Sequence, residues 1–144
     1  MPQGFDQNQN YYSFNNKNTI PTVFIHGVGL NNEMWKPQID NLKEYSTITY
    51  DILGHGKTPF TKTEITLNDF SNQLVSLLNF LKIKKINLVG FSLGSLIAID
   101  YASKFQNKLE TLILIGTTYK RTDKEKSQVI DRFNQAKQNM PISK

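Results

Sequence analysis

The sequence contains no cysteine, one tryptophan and two histidines among its 144 residues. Without cysteine the chain can form neither a disulfide bond nor a thiolate metal site, which favours a reducing compartment, and we expect a cytoplasmic protein. No apolar run approaches the ~20 residues that cross a bilayer, and the polar start of the chain lacks the apolar core of a signal peptide. We therefore expect no membrane association.

The formal net charge of +5 is concentrated towards the end of the chain. From Tyr119 onward seven Lys and Arg residues stand against three Asp and Glu residues, which is +4, and the remaining residues carry ten against nine, which is +1. A nearly neutral body has no basic face of the kind that binds nucleic acid, so no nucleic-acid partner is expected. The composition does not indicate an oligomeric state.

Predicted strands and helices alternate along the chain. Apolar runs too short for helices predict buried strands at 22–26, 46–51, 86–91 and 110–116, and the first 18 residues contain one or two marginal edge strands. Short helices are predicted at 33–42 and after 92, and Thr66 with Asp69 forms a capping box for a longer one. Apolar strands separated by helices indicate an α/β fold, a mostly parallel sheet with helices on both faces.

We divide the chain at residue 118. Residues 1–118 form the core, and residues 119–144 contain an amphipathic helix that should lie over an apolar surface. The apolar side chains on one face of that helix are Val129, Phe133, Ala136 and Met140. The helix either docks on the core as a C-terminal helix or begins a lid over the functional site.

The segment Gly90-Phe91-Ser92-Leu93-Gly94 joins a predicted strand directly to a predicted helix. A strand that becomes a helix over one residue forces that residue into a strained backbone conformation and presents its side chain above the sheet edge. The positions two before and two after then approach closely, which requires glycine. This pattern predicts an exposed, reactive hydroxyl on Ser92. The competing interpretation is an ordinary turn with a capping serine.

Two further polar residues are predicted at the carboxyl ends of strands, before glycine-rich loops. His26 precedes Gly27-Val28-Gly29, and Asp51 precedes a loop that contains His55. The carboxyl ends of parallel strands form the edge at which α/β proteins bind their ligands. His26, Asp51 and Ser92 should therefore lie at one edge of the sheet.

Two other kinds of site are disfavoured. The segment 54–58 ends in Gly-Lys-Thr like a phosphate-binding loop, but the first glycine of that motif would fall on Asp51. A metal site built from His26, His55 and Asp51 would draw its ligands from separate loops without a local ligand spacing, so no metal is expected.

Taken together, the motifs resemble the N-terminal half of the α/β-hydrolase fold family, over roughly residues 20 to 118. The matching segments are His26-Gly27-Val28-Gly29, Trp35, Asp51-Ile52-Leu53-Gly54-His55-Gly56 and Gly90-Phe91-Ser92-Leu93-Gly94. The finer pattern is similar to small carboxylesterases, with enol-lactone hydrolases and methyl esterases acting on acyl carriers the most similar. The resemblance implies a cofactor-free serine hydrolase of small-molecule carboxylic esters or lactones. In complete members a helical cap follows the sixth strand, where Tyr119 stands.

The resemblance also implies a role for individual residues. Ser92 would be the nucleophile that forms an acyl-enzyme, and the backbone N–H groups of Val28 and Leu93 would form the oxyanion hole. The side chains expected along the substrate pocket are Phe91 and Trp35. The residues expected to support the site from nearby are His26, Gly27, Gly29, Gly90, Gly94 and Asp51.

A base for Ser92 is not evident in the sequence. The family order is Ser, then Asp or Glu, then His, but no histidine follows Ser92 here. His26 and His55 precede it on loops where the family uses them structurally. The carboxylates considered after Ser92 are Asp100, Glu110 and Asp123. None of these three lies at the strand end where the family has its catalytic acid.

We interpret the chain as an incomplete piece of the fold that ends inside the cap, after about the sixth strand. The strand at 112–115 would then be an edge strand with exposed faces, which is an aggregation hazard. We expect poor solubility and negligible esterase activity from these 144 residues alone. The alternative hypothesis is a hydrolase fold that binds a ligand without catalysis.

Overall fold

The computed structural model describes residues 2–60, 62–118 and 120–139, and within them six strands form one sheet. The strands are β1 (Gln3–Phe5), β2 (Tyr11–Asn15), β3 (Thr22–Ile25), β4 (Thr47–Tyr50), β5 (Ile86–Phe91) and β6 (Leu109–Ile115). The helices are α1 (Lys36–Asn41), α2 (Leu67–Phe80), α3 (Leu93–Phe105) and α4 (Asp123–Asn139), with 3₁₀ helices at Asn32–Trp35 and Gln106–Lys108. The helix predicted at 33–42 is therefore two short pieces, with Pro37 in the first turn of α1, where proline is tolerated.

The spatial order of the strands is β1-β2-β4-β3-β5-β6. The four strands β4, β3, β5 and β6 are parallel to one another, whereas β1 and β2 are antiparallel to their neighbours. The predicted α/β fold with a mostly parallel sheet is confirmed, and so are the two marginal strands near the start of the chain. The parallel pairing brings the carboxyl ends of β3, β4 and β5 to the same edge of the sheet.

Successive residues of the central strand β3 point to opposite faces of the sheet. Val23 and Ile25 pack under α2 and α3, in a core that also contains side chains of β4 and β5. Phe24 points the other way, into a smaller cluster with Trp35 and Ile39 from the segment that includes α1. Helices thus cover both faces of the central strands, as the almost wholly apolar strand sequences predicted.

The predicted capping box at the start of α2 is confirmed. The Thr66 hydroxyl accepts a hydrogen bond from the Asp69 amide at 3.3 Å, and the Asp69 carboxylate accepts one from the Thr66 amide at 2.9 Å. These bonds satisfy backbone groups that would otherwise lack partners at a helix start. From there Leu74, Leu77 and Leu78 of α2 are buried against the sheet.

Strand β6 is the edge of the sheet opposite β1, and its side chains are largely exposed. Ile113 and Ile115 are 47% and 41% exposed, on the face that Val89 and Phe91 occupy in the neighbouring strand β5. Within the described ranges no other strand pairs with the outer edge of β6. The prediction of an edge strand with uncovered apolar side chains is confirmed.

Helix α4 begins with a second capping box, between Thr122 and Glu125. The described side chains of α4 are exposed, including that of Val129, the one described member of the predicted apolar face, which therefore does not rest on the core. The side chains of Phe133, Ala136 and Met140 lie outside what the structure describes, as does Tyr119. The boundary at residue 118 and the choice between docked helix and lid therefore stay predictions. No helix in the described ranges is both long and apolar enough to cross a membrane.

Candidate active site

Ser92 is the single residue between the end of β5 and the start of α3, and its backbone is strained. Its φ of 53° and ψ of −113° lie in a region that residues with a side chain rarely adopt, at a cost of roughly 1–3 kcal/mol. The Ser92 amide donates to the carbonyl of Ile115 at 2.9 Å, and the Ser92 carbonyl accepts from both the amide and the hydroxyl of Ser95. These bonds from two elements hold the strained conformation in place.

The glycines on either side of Ser92 lie where no side chain can fit. A Cβ atom on Gly90 would come within 2.3 Å of the carbonyl oxygen of Gly94, and one on Gly94 would come within 2.3 Å of the carbonyl oxygen of Ile25. Both contacts are with backbone, which cannot move aside cheaply. Helix α3 therefore begins in backbone contact with β3 and β5, and this close approach fixes the position of Ser92.

The loop after β3 packs against the Ser92 side chain. A Cβ atom on Gly27 would lie 3.3 Å from the Cβ of Ser92, and Gly29 adopts a left-handed φ of 73°. Between them, Val28 has an exposed side chain, and its amide donates no hydrogen bond within the described part of the chain. The amide of Leu93 is likewise unpaired there, because it is the first of α3 and has no partner inside the helix.

Ser92 is half-buried and lines a cavity of about 320 Å³ at the carboxyl edge of the sheet. The residues lining this cavity are Val28, Ser92, Leu93, Leu96, Gly116, Thr118 and Arg121. Three of the seven have apolar side chains, one is cationic and none is anionic. Leu96, Thr118 and Arg121 were not anticipated from the sequence, because no local pattern indicates which distant side chains meet at this cavity.

His26 is fully buried, and both of its ring nitrogens are engaged. Nε2 lies 3.1 Å from the amide nitrogen of Ile52, and because an amide N–H can only donate, Nε2 is the acceptor. In the neutral ring Nδ1 then carries the hydrogen, which it donates to the carbonyl of Gly27 at 2.8 Å. Burial lowers the pKa of His26, which favours this neutral ring. His26 thus ties the loop after β3 to the loop after β4 and has no free nitrogen for Ser92.

His55 also has a local partner. Its Nδ1 lies 3.0 Å from the carbonyl of Leu53, and its ring centroid is 5.4 Å from that of His26. It does not line the Ser92 cavity. In the described part of the chain no group of three or more His, Asp and Glu side chains could hold a metal ion.

Asp51 is a buried carboxylate that joins two loops near the site. Its Oδ1 accepts hydrogen bonds of 2.7 Å from both the amide and the side chain of Asn32, and its Oδ2 accepts one of 2.8 Å from the amide of Lys57. A Cβ atom on Gly56 would overlap the carboxylate at 2.1 Å. Asp51 therefore orders the surrounding backbone. No pattern in the sequence indicates Asn32 as its partner.

Trp35 and Phe91 are not among the described residues that line the Ser92 cavity, and their place in a substrate pocket stays a prediction. Trp35 is only 3% exposed and packs on Phe24, with ring centroids 5.1 Å apart, because it fills the space between the sheet and α1. The ring of Phe91 lies against Gly27 and Gly116 beneath the loops.

The carboxylates that follow Ser92 in the chain have partners away from the cavity. Asp100 accepts hydrogen bonds from Lys104 and Ser71, which lower its pKa. Glu110 pairs with Lys85 and Asp123 with Lys126. None of the three carboxylates lines the cavity.

Comparisons with known proteins agree with this architecture. A family model described as alpha/beta hydrolase fold matches residues 20–142. The chain is 34% identical over 119 residues to (E)-2-((N-methylformamido)methylene)succinate hydrolase of Acinetobacter baylyi, covering 82% of this chain and 45% of the relative. It is 33% identical over 84 residues to 3-oxoadipate enol-lactonase 1 of the same organism, covering 58% of this chain and 31% of the relative.

A solved carboxylesterase structure from Nitrososphaera gargenis superposes with a TM-score of 0.81 at 25% identity, covering 96% of this chain and 54% of that one. The chain thus belongs to the α/β-hydrolase fold family, as the resemblance implied, and these three relatives have names that describe hydrolases. It spans about half the length, or less, of these relatives.

Proposed function

We propose that this chain carries the nucleophile and oxyanion hole of a serine hydrolase that cleaves carboxylic esters or lactones. The Ser92 hydroxyl would attack the substrate carbonyl while the amides of Val28 and Leu93 stabilise the negative oxygen of the tetrahedral intermediate. The leaving alcohol would depart with a proton and leave an acyl group on Ser92, and water would then release the acid. No cofactor takes part.

The observation that carries this proposal is the strained backbone of Ser92 beside two unpaired amides. Strain of this kind clusters at functional sites, where surrounding contacts maintain it. Ser92 lines a cavity together with Val28 and Leu93, the residues whose amides donate no other hydrogen bond in the described chain. One such donor contributes about 2.7–4 kcal/mol of transition-state stabilisation in a working enzyme.

We propose further that the base and the acid of the triad are supplied from outside these 144 residues. Both histidines of the chain are bonded to backbone groups other than those of Ser92, and the carboxylates of Asp100, Glu110 and Asp123 pair elsewhere. A serine hydroxyl without a base is a weak nucleophile. The 144-residue chain should therefore turn over p-nitrophenyl acetate negligibly, even though its hydroxyl is well placed.

Two of the three names support an ester or lactone as substrate, because one relative is named as an enol-lactonase and one solved structure is of a carboxylesterase. The third name, a hydrolase of an N-methylformamido-substituted succinate, contains an amide and no ester, so it supports hydrolysis in general. The absence of cysteine from the sequence supports a reducing compartment, and we propose a cytoplasmic location.

Covalent trapping tests the proposed nucleophile. An alkyl fluorophosphonate should modify Ser92 slowly but selectively, because the oxyanion hole acts without the base, and peptide mass mapping identifies the modified residue. Ser92→Ala should abolish the modification. Ser103→Ala, which removes an exposed hydroxyl from the same helix, should leave it unchanged. Modification spread over several serines, or its persistence in Ser92→Ala, would contradict the proposal.

A second candidate function is a hydrolase fold that binds a ligand without catalysis. It is favoured by one observation, the commitment of both ring nitrogens of His26 to backbone partners. The longest natural form of the protein discriminates between the two functions. A serine with a working base reacts with the fluorophosphonate orders of magnitude faster than the 144-residue chain does, whereas a binding protein shows the same slow reaction in both.

A further inference from the structure

Among the described residues that line the Ser92 cavity, one has a charged side chain, and it is a cation. Of the seven lining residues Arg121 carries the only formal charge, while Val28, Leu93 and Leu96 contribute apolar surface. The lining therefore combines a reactive hydroxyl, an apolar wall and a guanidinium. An anionic group on a ligand would meet no carboxylate along this lining.

The guanidinium of Arg121 has no partner among the described residues of the chain. It makes no hydrogen bond and no ion pair with any residue that the structure describes. The two nearest carboxylates in sequence are directed elsewhere. Asp123 pairs with Lys126 at 3.0 Å, and Glu125 accepts hydrogen bonds from the amide and hydroxyl of Thr122 at 2.7 and 2.9 Å. The positive charge of Arg121 lowers the pKa of Glu125, but by less than either hydrogen bond from Thr122 does.

The path of the chain explains why Arg121 reaches the cavity. Gly116 follows β6 with a left-handed φ of 62°, and the backbone then passes the cavity at Thr118 and Arg121 before α4 begins. Arg121 also lies at the start of the segment that holds most of the net charge, +4 of the total +5. A local excess of positive charge raises the concentration of anions near a site and accelerates their association.

We propose that Arg121 is a specificity residue that selects ester or lactone substrates whose acyl portion ends in a free carboxylate. This inference rests on the proposed function, because it assigns a substrate class to the same cavity. The apolar wall accommodates the carbon chain, and the planar guanidinium matches a carboxylate with two parallel N–H donors. Because Arg121 is exposed, solvent screens the interaction, and the expected preference is modest, about two- to fivefold.

A pair of phosphonate probes tests the assignment in the 144-residue chain. Ethyl 4-nitrophenyl butylphosphonate is neutral, and its analogue with a carboxylate at the end of the alkyl chain is anionic. In both, the Ser92 oxygen bonds to phosphorus, 4-nitrophenolate leaves, and the serine proton passes to the buffer. Intact-mass measurements at low ionic strength give the ratio of the anionic to the neutral rate constant, which is divided by the same ratio measured with hydroxide. This normalised ratio should be about two to five.

Variants at two arginines separate the inference from general charge effects. Arg121→Gln should reduce the normalised ratio to about 1, and Arg121→Glu should invert it. Arg132→Gln removes the same charge from α4, where Arg132 lines a separate cavity, and should preserve the ratio. Equal reaction of both probes with Ser92, or a preference that survives in Arg121→Gln, overturns the inference while the nucleophile stands. If neither probe modifies Ser92, the proposed function fails and the inference fails with it.

Discussion

The two sides of strand β5 differ in how completely they are packed: one holds the junction at Ser92, and the other holds strand β6. Around Ser92, the start of α3 touches the backbone of β3 and β5 so closely that Gly90 and Gly94 cannot carry a side chain. On the other side of β5, strand β6 exposes its isoleucines, and the described side chains of α4 lie in solvent. The placement of the hydroxyl thus depends on contacts that this chain makes by itself, whereas no described residue covers the surface beyond β6.

One register pair shows this difference at the level of single residues. Val89 on β5 and Ile113 on β6 are direct partners on the same face of the sheet. Val89 is 5% exposed, beneath Trp35 and Ile39, and Ile113 is 47% exposed. Two neighbouring positions with similar side chains therefore contribute very differently to the free energy of unfolding.

The largest expected effect comes from placing a charge at each position of this pair. Val89→Asp should lower the free energy of unfolding by more than about 4 kcal/mol, because it buries an unpaired carboxylate, and should leave little folded protein. Ile113→Asp should cost about 1 kcal/mol or less, since half of its surface is already in water, and should increase solubility. Urea denaturation followed by circular dichroism measures both. Similar losses for the two variants would show that β6 is covered in solution.

A smaller effect is expected from adding one methyl group to a glycine. Gly90→Ala should cost about 3 kcal/mol or more, because the new Cβ would meet the backbone oxygen of Gly94 at 2.3 Å, and should abolish labelling of Ser92. Gly29→Ala is the matched control. Nothing lies within 4 Å of its new Cβ, so only the left-handed φ of 73° is penalised, by about 1–2 kcal/mol. Equal costs would mean that the start of α3 can relax and that the close backbone approach does not fix Ser92.

The smallest expected effect is a dependence of stability on pH that originates at His26. Its pKa is lowered in the folded state by burial, so between that lowered pKa and about 6.5 the unfolded chain binds more protons. Stability should be greatest above pH 6.5 and decline as the pH falls, by at most about 1.4 kcal/mol per pH unit from this group. Urea midpoints between pH 7.5 and 5.5 should show this slope in the wild type and a reduced slope in His26→Gln. An unchanged slope in the variant would assign the dependence to other groups.

The features that the sequence predicted correctly are those that depend on neighbouring residues. The capping box of Thr66 and Asp69 and the alternation of apolar strands with helices involve short separations, and the structure contains both. The strand-to-helix junction at Ser92 was predicted for the same reason, since its two glycines lie only two residues away on either side.

The features that were missed depend on contacts between distant segments. Asn32 and Lys57 both bond to Asp51, but no periodicity connects them to it. Trp35 follows a loop associated with the site, yet its ring packs in the core, because the space under α1 requires a large side chain. Arg121 belongs to the basic end of the chain, and only the fold brings it to the Ser92 cavity.

The imidazole of His26 links two loops that are otherwise separated by a strand and a helix. It donates to Gly27, in the loop that carries Val28, and accepts from Ile52, next to Asp51. The hydrogen on the Ile52 nitrogen can exchange with solvent only after this ring has moved. Local opening of either loop therefore requires the other to open as well, and the two should behave as one cooperative unit in hydrogen exchange.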